Sequence, residues 1–261
     1  MYSLTITNKP ASNKVINRLG SFVKIFISDP IELDLKKKYQ MRVLSANIVF
    51  CEPNITSTNN LFSYAVNGIT YSYNIPIGLY GIDDINNIIA RKTIAQNGSQ
   101  LFAFVANPST STTIVYFAQA NTYIHLSEDS VMNILGFNTS GSIGGFLTTT
   151  GYVETSRSAM LNTLQLILIK CNITNGSYLN SDQSSIVAGV PISVSTPYSQ
   201  IQEKFIHPTR NNIFVNRIDN LQIDLLSQDG VPLDMTKGGT TPIENWNIII
   251  DISEHDFKNL L

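Results

Sequence analysis

Along most of this chain, apolar and polar residues alternate with a period of two. The alternating runs are short and are bounded by Gly, Asn, Asp and Pro. That period places successive side chains on opposite faces of an extended strand. It predicts strands at 3–7, 22–28, 31–35, 39–50, 61–66, 70–75, 101–105, 113–118, 123–126, 164–171, 190–195, 201–206, 220–226 and 247–252. Within 39–50, Met41, Val43, Ile48 and Phe50 mark an apolar series whose parity slips near Ser45-Ala46. Such a slip indicates a bulge or a strand buried on both faces. Turn chemistry separates the runs at Asn67-Gly68, Asn175-Gly176, Asp229-Gly230 and Lys237-Gly238-Gly239, all of them pairs or triplets that tolerate positive φ.

Two stretches change period. From Gly81 to about Lys92, Ile82, Ile85 and Ile89 recur at helical spacing, with Asp83 and Asp84 in the first turn, where the helix dipole favours acids. A second short helix is predicted over 128–135, with Ser127 as N-cap and Gly136 as the stop. The fold class expected is therefore all-β: a jelly-roll β-sandwich with a second β-rich subdomain and two short helices. The stretch from Asn138 to Gly151, rich in Gly, Thr and Ser, reads as a linker or long surface loop. Two layouts fit. In one, residues 1–58 plus 140–261 form the jelly roll and 59–139 is an inserted β-rich subdomain; in the other, tandem jelly rolls occupy 1–139 and 146–261. The insertion is favoured.

Composition adds one clear feature. Hydrophobic residues make up 43% of the 261 residues, enough for a substantial core, but charged residues only 14%, against about 25% in ordinary soluble domains. Asn, Ser, Thr and Gln take their place. A charge-poor surface desolvates cheaply and suits permanent interfaces; the codon bias of an AT-rich genome accounts for the same composition. The formal net charge of -2 argues against a dominant nucleic-acid or anionic-membrane surface. The basic run Lys36-Lys37-Lys38 follows Asp34 and reads as a solvated turn. Cys51 and Cys171 each end an apolar run and are expected to be reduced core thiols. The first residues, Met1 to Thr7, carry no basic, apolar leader pattern, and no apolar window is long enough to span a bilayer.

A search for chemistry returns little. His125, His207 and His255 are far apart and fit no zinc-ligand spacing; P-loop, nucleophile-elbow and dinucleotide fingerprints are missing from the sequence. Asp83 and Asp84 are explained by the helix start. Asp229 and Asp234 flank Gly230-Val231-Pro232, where turn carboxylates bond their own backbone. No catalytic, cofactor-binding or metal-binding residue is assigned, no cofactor is expected, and the chain is read as a non-enzyme.

Four stretches resemble one family, the penton (minor capsid) proteins of virophages and Polinton-like viruses. The first runs Phe22-Val23-Lys24-Ile25-Phe26-Ile27, Ile31-Glu32-Leu33, Tyr39-Gln40-Met41-Arg42-Val43-Leu44 and Pro53-Asn54. The second, Ile75-Pro76-Ile77-Gly78-Leu79-Tyr80-Gly81-Ile82-Asp83-Asp84-Ile85-Asn86, is similar to the family's I-P-x-G-x-Y-x-x-x-D-I-N segment and is the most specific. The third is Ile134-Leu135-Gly136-Phe137. The fourth runs from Ile218 through the Asp229-Gly230 turn to Ile252. The resemblance implies a jelly roll in a virion capsid, assembled as a homopentamer at fivefold vertices beside a major capsid protein, in host cytoplasm or a viral factory. Other readings stay open. The protein can be a small double-jelly-roll trimeric capsomer. It can be a vertex or fibre module recognising a host receptor or glycan, with Tyr71, Tyr73 and Tyr80 near Asn67 and Asn74 as candidate contacts. The segment from Tyr2 to Leu19 is a candidate arm toward a neighbouring capsomer or the particle interior.

Overall fold

A computed structural model describes residues 2–138, 140–145, 151–161, 164–175, 177–179, 182–192, 199–236 and 245–254. In chain order the first strands are β1 (Tyr2–Thr7), β2 (Lys14–Ile16), β3 (Phe22–Glu32), β4 (Tyr39–Val49), β5 (Leu61–Val66) and β6 (Ile69–Asn74). Helix α1 (Ile82–Asn97) follows, then β7 (Phe102–Asn107), β8 (Thr112–Phe117), β9 (Thr122–Leu126), β10 (Gly141–Gly144) and β11 (Gly151–Glu154). The remainder comprises β12 (Leu166–Cys171), β13 (Ser177–Leu179), β14 (Asp182–Ser184), β15 (Ile186–Pro191), β16 (Gln200–Lys204), β17 (Asn211–Asn212), β18 (Arg217–Ser227) and β19 (Trp246–Glu254). The fold is all-β with a single helix among the described residues, and every strand pair within its sheets is antiparallel.

The chain divides into two compact units, Met1–Glu52 with Leu164–Leu261, and Pro53–Thr163. The first holds two main sheets, ordered β1-β19-β4-β16, with β17 also on β4, and β15-β12-β18-β3-β2. Their inward positions form its core: Met41, Val43, Ala46 and Ile48 of β4, Ile248, Ile250 and Ile252 of β19, Leu221, Ile223 and Leu225 of β18. The parity slip in β4 is a bulge. Ile249 pairs with Ser45 and Ile250 with Val43, so Leu44 is the extra residue, and the buried positions change from odd to even numbers across it. A second irregularity joins two expected strands into one. Strand β3 runs through Asp29-Pro30 because its partner β18 shifts register between Ile218, opposite Ile31, and Asn220, opposite Phe26; a proline is tolerated where the ladder is interrupted. Trp246 and Asn8 tie the sheets at Gly20 O, which accepts from the indole Nε1 at 2.9 Å and from Asn8 Nδ2 at 3.4 Å.

The segment considered as an outward arm belongs instead to this unit. Strand β1 pairs residue for residue with β19, from Tyr2 opposite Ile252 to Thr7 opposite Asn247, and β2 pairs with β3. Leu4 and Ile6 turn their side chains inward, Ile6 being fully buried; that apolar pair seats the strand.

The second unit contains the sheets β10-β9-β5-β6 and β11-β8-β7, with α1 packed on β7. Its core is aromatic. Phe62, Tyr64, Phe102, Phe104 and Phe117 are buried, with the Phe102 ring 5.7 Å from Phe62, 5.4 Å from Tyr64 and 5.6 Å from Phe117, all edge-on, the geometry the ring quadrupole favours. Asn67 (φ 48) and Gly68 (φ 82) form the tight turn between β5 and β6.

Helix α1 extends five residues beyond Lys92, to Asn97, where Gly98 in the left-handed region closes it with its N–H on Ile94 O at 2.8 Å. The helix expected at 128–135 is replaced by successive turns, bonded Ser130 N to Ser127 O, Asn133 N to Ser130 O and Gly136 N to Asn133 O. Backbone groups that a helix would use internally are committed elsewhere: Asp129 O accepts from Leu61 N and Val131 N donates to Leu61 O. The Asn133 amide also takes the Ser127 and Glu128 carbonyls. The supposed linker is partly strand, since Gly141–Gly144 pairs with β9. Strand β15 begins at Ile186, four residues before the expected start, and ends at Pro191. Residues 193–195 of that expected strand, residues 139 and 146–150 of the supposed linker, Gly176, the turn at 237–239 and His255 lie outside the described residues.

Candidate functional site

The residues weighed for chemistry are held apart. His125 sits on β9 with Nδ1 3.0 Å from Ser142 Oγ, while His207 is exposed on a turn of the other unit. Asp84 receives the Gly81 N–H at 2.9 Å and so caps α1. Asp234 receives the Thr236 N–H at 2.9 Å, a carboxylate bonding its own turn. Asp34 accepts from Lys36 N at 2.9 Å, and Lys37 pairs with Glu254 at 2.8 Å, so the basic run is a solvated turn. Cys51 and Cys171 are both buried, and desolvation pushes the Cys171 thiol up to about 12; a thiol so shielded is a poor nucleophile. Among the described residues, no three His, Cys, Asp or Glu side chains converge as a metal site, and no helix is long and apolar enough to cross a membrane.

Two carboxyl groups stand out in the first unit, Asp251 buried and Glu52 half-buried. Asp251 is fully buried and pairs with Arg42, the residue opposite it on β4, through Nη2 and through Nε at 3.2 Å; its Oδ1 has no hydrogen-bond partner among the described residues. Glu52 receives the Asp234 N–H. Desolvation, reinforced by the Asp234 carboxylate and opposed by that N–H, raises Glu52 from 4.5 to about 7.

Tyr71, Tyr73 and Tyr80 do not form an open site: all three pack against the aromatic core of the second unit. Tyr71 stacks on Tyr64 at 5.2 Å, and Tyr73 lies 5.5 Å from Phe62. Tyr80 has a framing role. Its ring lies over Gly78, where an added Cβ would come within 2.9 Å of it. Asn54 clamps its backbone, Oδ1 accepting from Tyr80 N at 3.0 Å and Nδ2 donating to Tyr80 O at 2.8 Å and Leu161 O at 2.9 Å. Asn86, four residues into α1's run, accepts the Phe104 N–H at 2.8 Å. The segment from Pro53-Asn54 through Ile75–Asn86 is thus a turn locked at both ends.

An open cleft of about 570 Å³ lies at the Phe102-Phe117-Gly151 end of the β7-β8-β11 sheet, lined also by Ala103, Tyr116 and Tyr152. Tyr116 and Tyr152 are directly opposed across β8 and β11, their rings 5.8 Å apart and tilted 42°. They are 45% and 63% exposed, so neither is consumed by the core. Sequence reading missed this pair: in Thr112–Phe117 aromatic residues stand at adjacent positions, and parity alone does not say that Phe117 points in and Tyr116 out.

No family model and no curated protein matches the chain. Among solved structures, the fold bears a distant likeness to the penton protein of mavirus, with a TM-score of 0.49 and 12% identity over 97% of this chain and 99% of that one.

Proposed function

We propose that this chain is a non-enzymatic viral capsid subunit, a penton-type protein that assembles as a homopentamer at particle vertices in contact with a major capsid protein. On this reading the first unit is a jelly roll and the second an insertion in it. The observation that carries the proposal is the locked segment of the second unit. The residues that resemble the penton family most specifically, Ile75 to Asn86, are those whose side chains build one rigid feature: Gly78 under the Tyr80 ring, Asp84 on the helix start, Ile85 in the core, Asn86 on β7. These roles are structural, not catalytic. The sparse charge of the chain supports burial of its remaining faces against other subunits.

Native mass spectrometry of the purified chain, followed by co-assembly with a major capsid protein, tests this. A species five times the chain mass, or fivefold incorporation into particles, is expected. A trimer points to the double-jelly-roll capsomer instead, and a chain that neither self-associates nor enters particles defeats the proposal.

A further inference from the structure

We infer that the outer face of the β7-β8-β11 sheet, from the cleft beside Tyr116 and Tyr152 to Glu154 at the far end of β11, is a binding site for a neutral, hydroxyl-rich saccharide, with the two tyrosines as stacking platform and Glu154 as hydrogen-bond acceptor. The inference does not depend on the capsid reading.

The outward positions of this sheet are set by register. Ala103, Tyr116 and Tyr152 stand in one row across the three strands, and Val105, Ile114 and Glu154 in the next. The first row is the aromatic shelf. Its two rings are exposed and tilted toward one another, and no hydrogen bond engages either hydroxyl among the described residues. Rings left open in this way offer π faces to C–H groups and phenolic hydroxyls to polar atoms at the same time. The cleft beside them falls within the size range of small-ligand sites, about 300–1,000 Å³.

The second row supplies direction. Glu154 lies two residues from Tyr152 on the same face of β11, one strand repeat of about 6.7 Å away. Its Oε1 accepts from Thr112 Oγ1 at 2.6 Å, Asn107 Nδ2 at 2.9 Å and Thr110 Oγ1 at 3.2 Å. Those bonds, Thr112 first, hold the carboxyl below the ordinary carboxylate range. They also fix its position and leave Oε2 to accept from a ligand hydroxyl. An aromatic platform ending in a fixed, ionised acceptor matches a sugar ring, which has an apolar C–H face and a hydroxyl edge. A second copy of the chain fits less well. It would have to cover Glu154, and the neighbours on this face, Ala103, Val105, Ile114, Tyr116 and Tyr152, bring no cation to it.

The test is saturation-transfer NMR and calorimetry on the full chain with cellohexaose, maltohexaose, mannohexaose and N-acetylchitohexaose, after a glycan-array screen. Binding of at least one oligosaccharide is expected. Tyr116→Ala and Tyr152→Ala should each weaken it about tenfold, Tyr152→Phe should retain most of it, and Glu154→Gln should weaken it while the chain stays folded by circular dichroism. If nothing on the array or among the four probes binds, the inference is wrong. It is equally wrong if binding survives in the Tyr116→Ala/Tyr152→Ala double variant. Should that double variant instead dissolve an oligomer formed by the saccharide-silent wild type, the face is a subunit contact and the saccharide site is refuted.

Discussion

Glu52→Gln should make the protein more stable at pH 8 and leave its stability nearly unchanged at pH 4. In the native structure Glu52 is desolvated, faces the Asp234 carboxylate and is helped only by the Asp234 N–H. Its folded-state value is raised from 4.5 to about 7. Between these two values the folded chain holds a proton that the unfolded chain has released. Stability therefore falls as pH rises through this window and reaches its lower plateau above about 7. The full difference corresponds to an upper bound of about 3 kcal/mol; partial exposure of the side chain brings the expected figure to about 1–3 kcal/mol. Glutamine keeps the acceptor for the Asp234 N–H and removes the charge.

Urea unfolding of wild type and variant at pH 4, 5, 6, 7 and 8 gives the answer directly. The free-energy difference should open progressively above pH 4.5 and level off near pH 8. A difference that does not change with pH would refute the reasoning, because it would mean that Glu52 is ionised at the same pH folded and unfolded. A wild type that gains on the variant as pH rises would show that the Asp234 N–H outweighs desolvation.

Other substitutions test other parts of the frame. Arg42→Met leaves Asp251 buried without its cation and should cost about 3–5 kcal/mol in urea unfolding, with Arg42→Met/Asp251→Asn recovering much of the loss. Gly136→Ala forces a residue at φ 92 to place its Cβ 2.4 Å from Arg157 O; a loss of at least about 2 kcal/mol is expected, read as a lower melting temperature. Deletion of residues 1–19 removes β1 and β2 and bares the edge of β19; light scattering should show aggregation, and a folded, monodisperse product would mean that β1 contributes little.

The sequence made the strands legible wherever one face is buried. Tyr39–Val49 shows why: its alternation follows burial so closely that even the bulge at Leu44 appears as a change of parity. Short strands such as Gly141–Gly144 and Lys14–Ile16 carry too few apolar residues to register; they exist because a neighbouring strand offers them hydrogen bonds. The false helix at 128–135 has the opposite cause. Its apolar spacing and its Gly136 stop are real, but pairing with Leu61 at the start of β5 is a long-range event that local signals do not encode, and the Ser127 hydroxyl bonds Asp129 Oδ1 at 2.6 Å instead of capping a helix. The same limit hid the cleft. Tyr116 and Tyr152 are separated by 35 intervening positions and meet only through the register of β8 with β11, whereas Tyr71 and Tyr73, close in sequence and suggestive there, turn toward the core.

Scarce charge acquires a definite meaning once the pairs are located. Arg42 is spent on Asp251, Arg217 on Glu32 and Asp219, Lys37 on Glu254, and Glu154 on a cluster of hydroxyl and amide donors. With charged residues at only 14% and a formal net charge of -2, the chain has a weak net field with which to attract or repel an ionic partner over distance. Recognition then relies on shape, ring stacking and hydrogen bonds at contact range. Permanent subunit packing and the binding of an uncharged saccharide both work in that regime, which is why the two proposals made for this chain are compatible. It also sets a common expectation for both: salt between 50 and 500 mM should change neither subunit mass nor saccharide affinity appreciably, whereas an interface built on phosphate or polybasic contacts would weaken steeply across the same range.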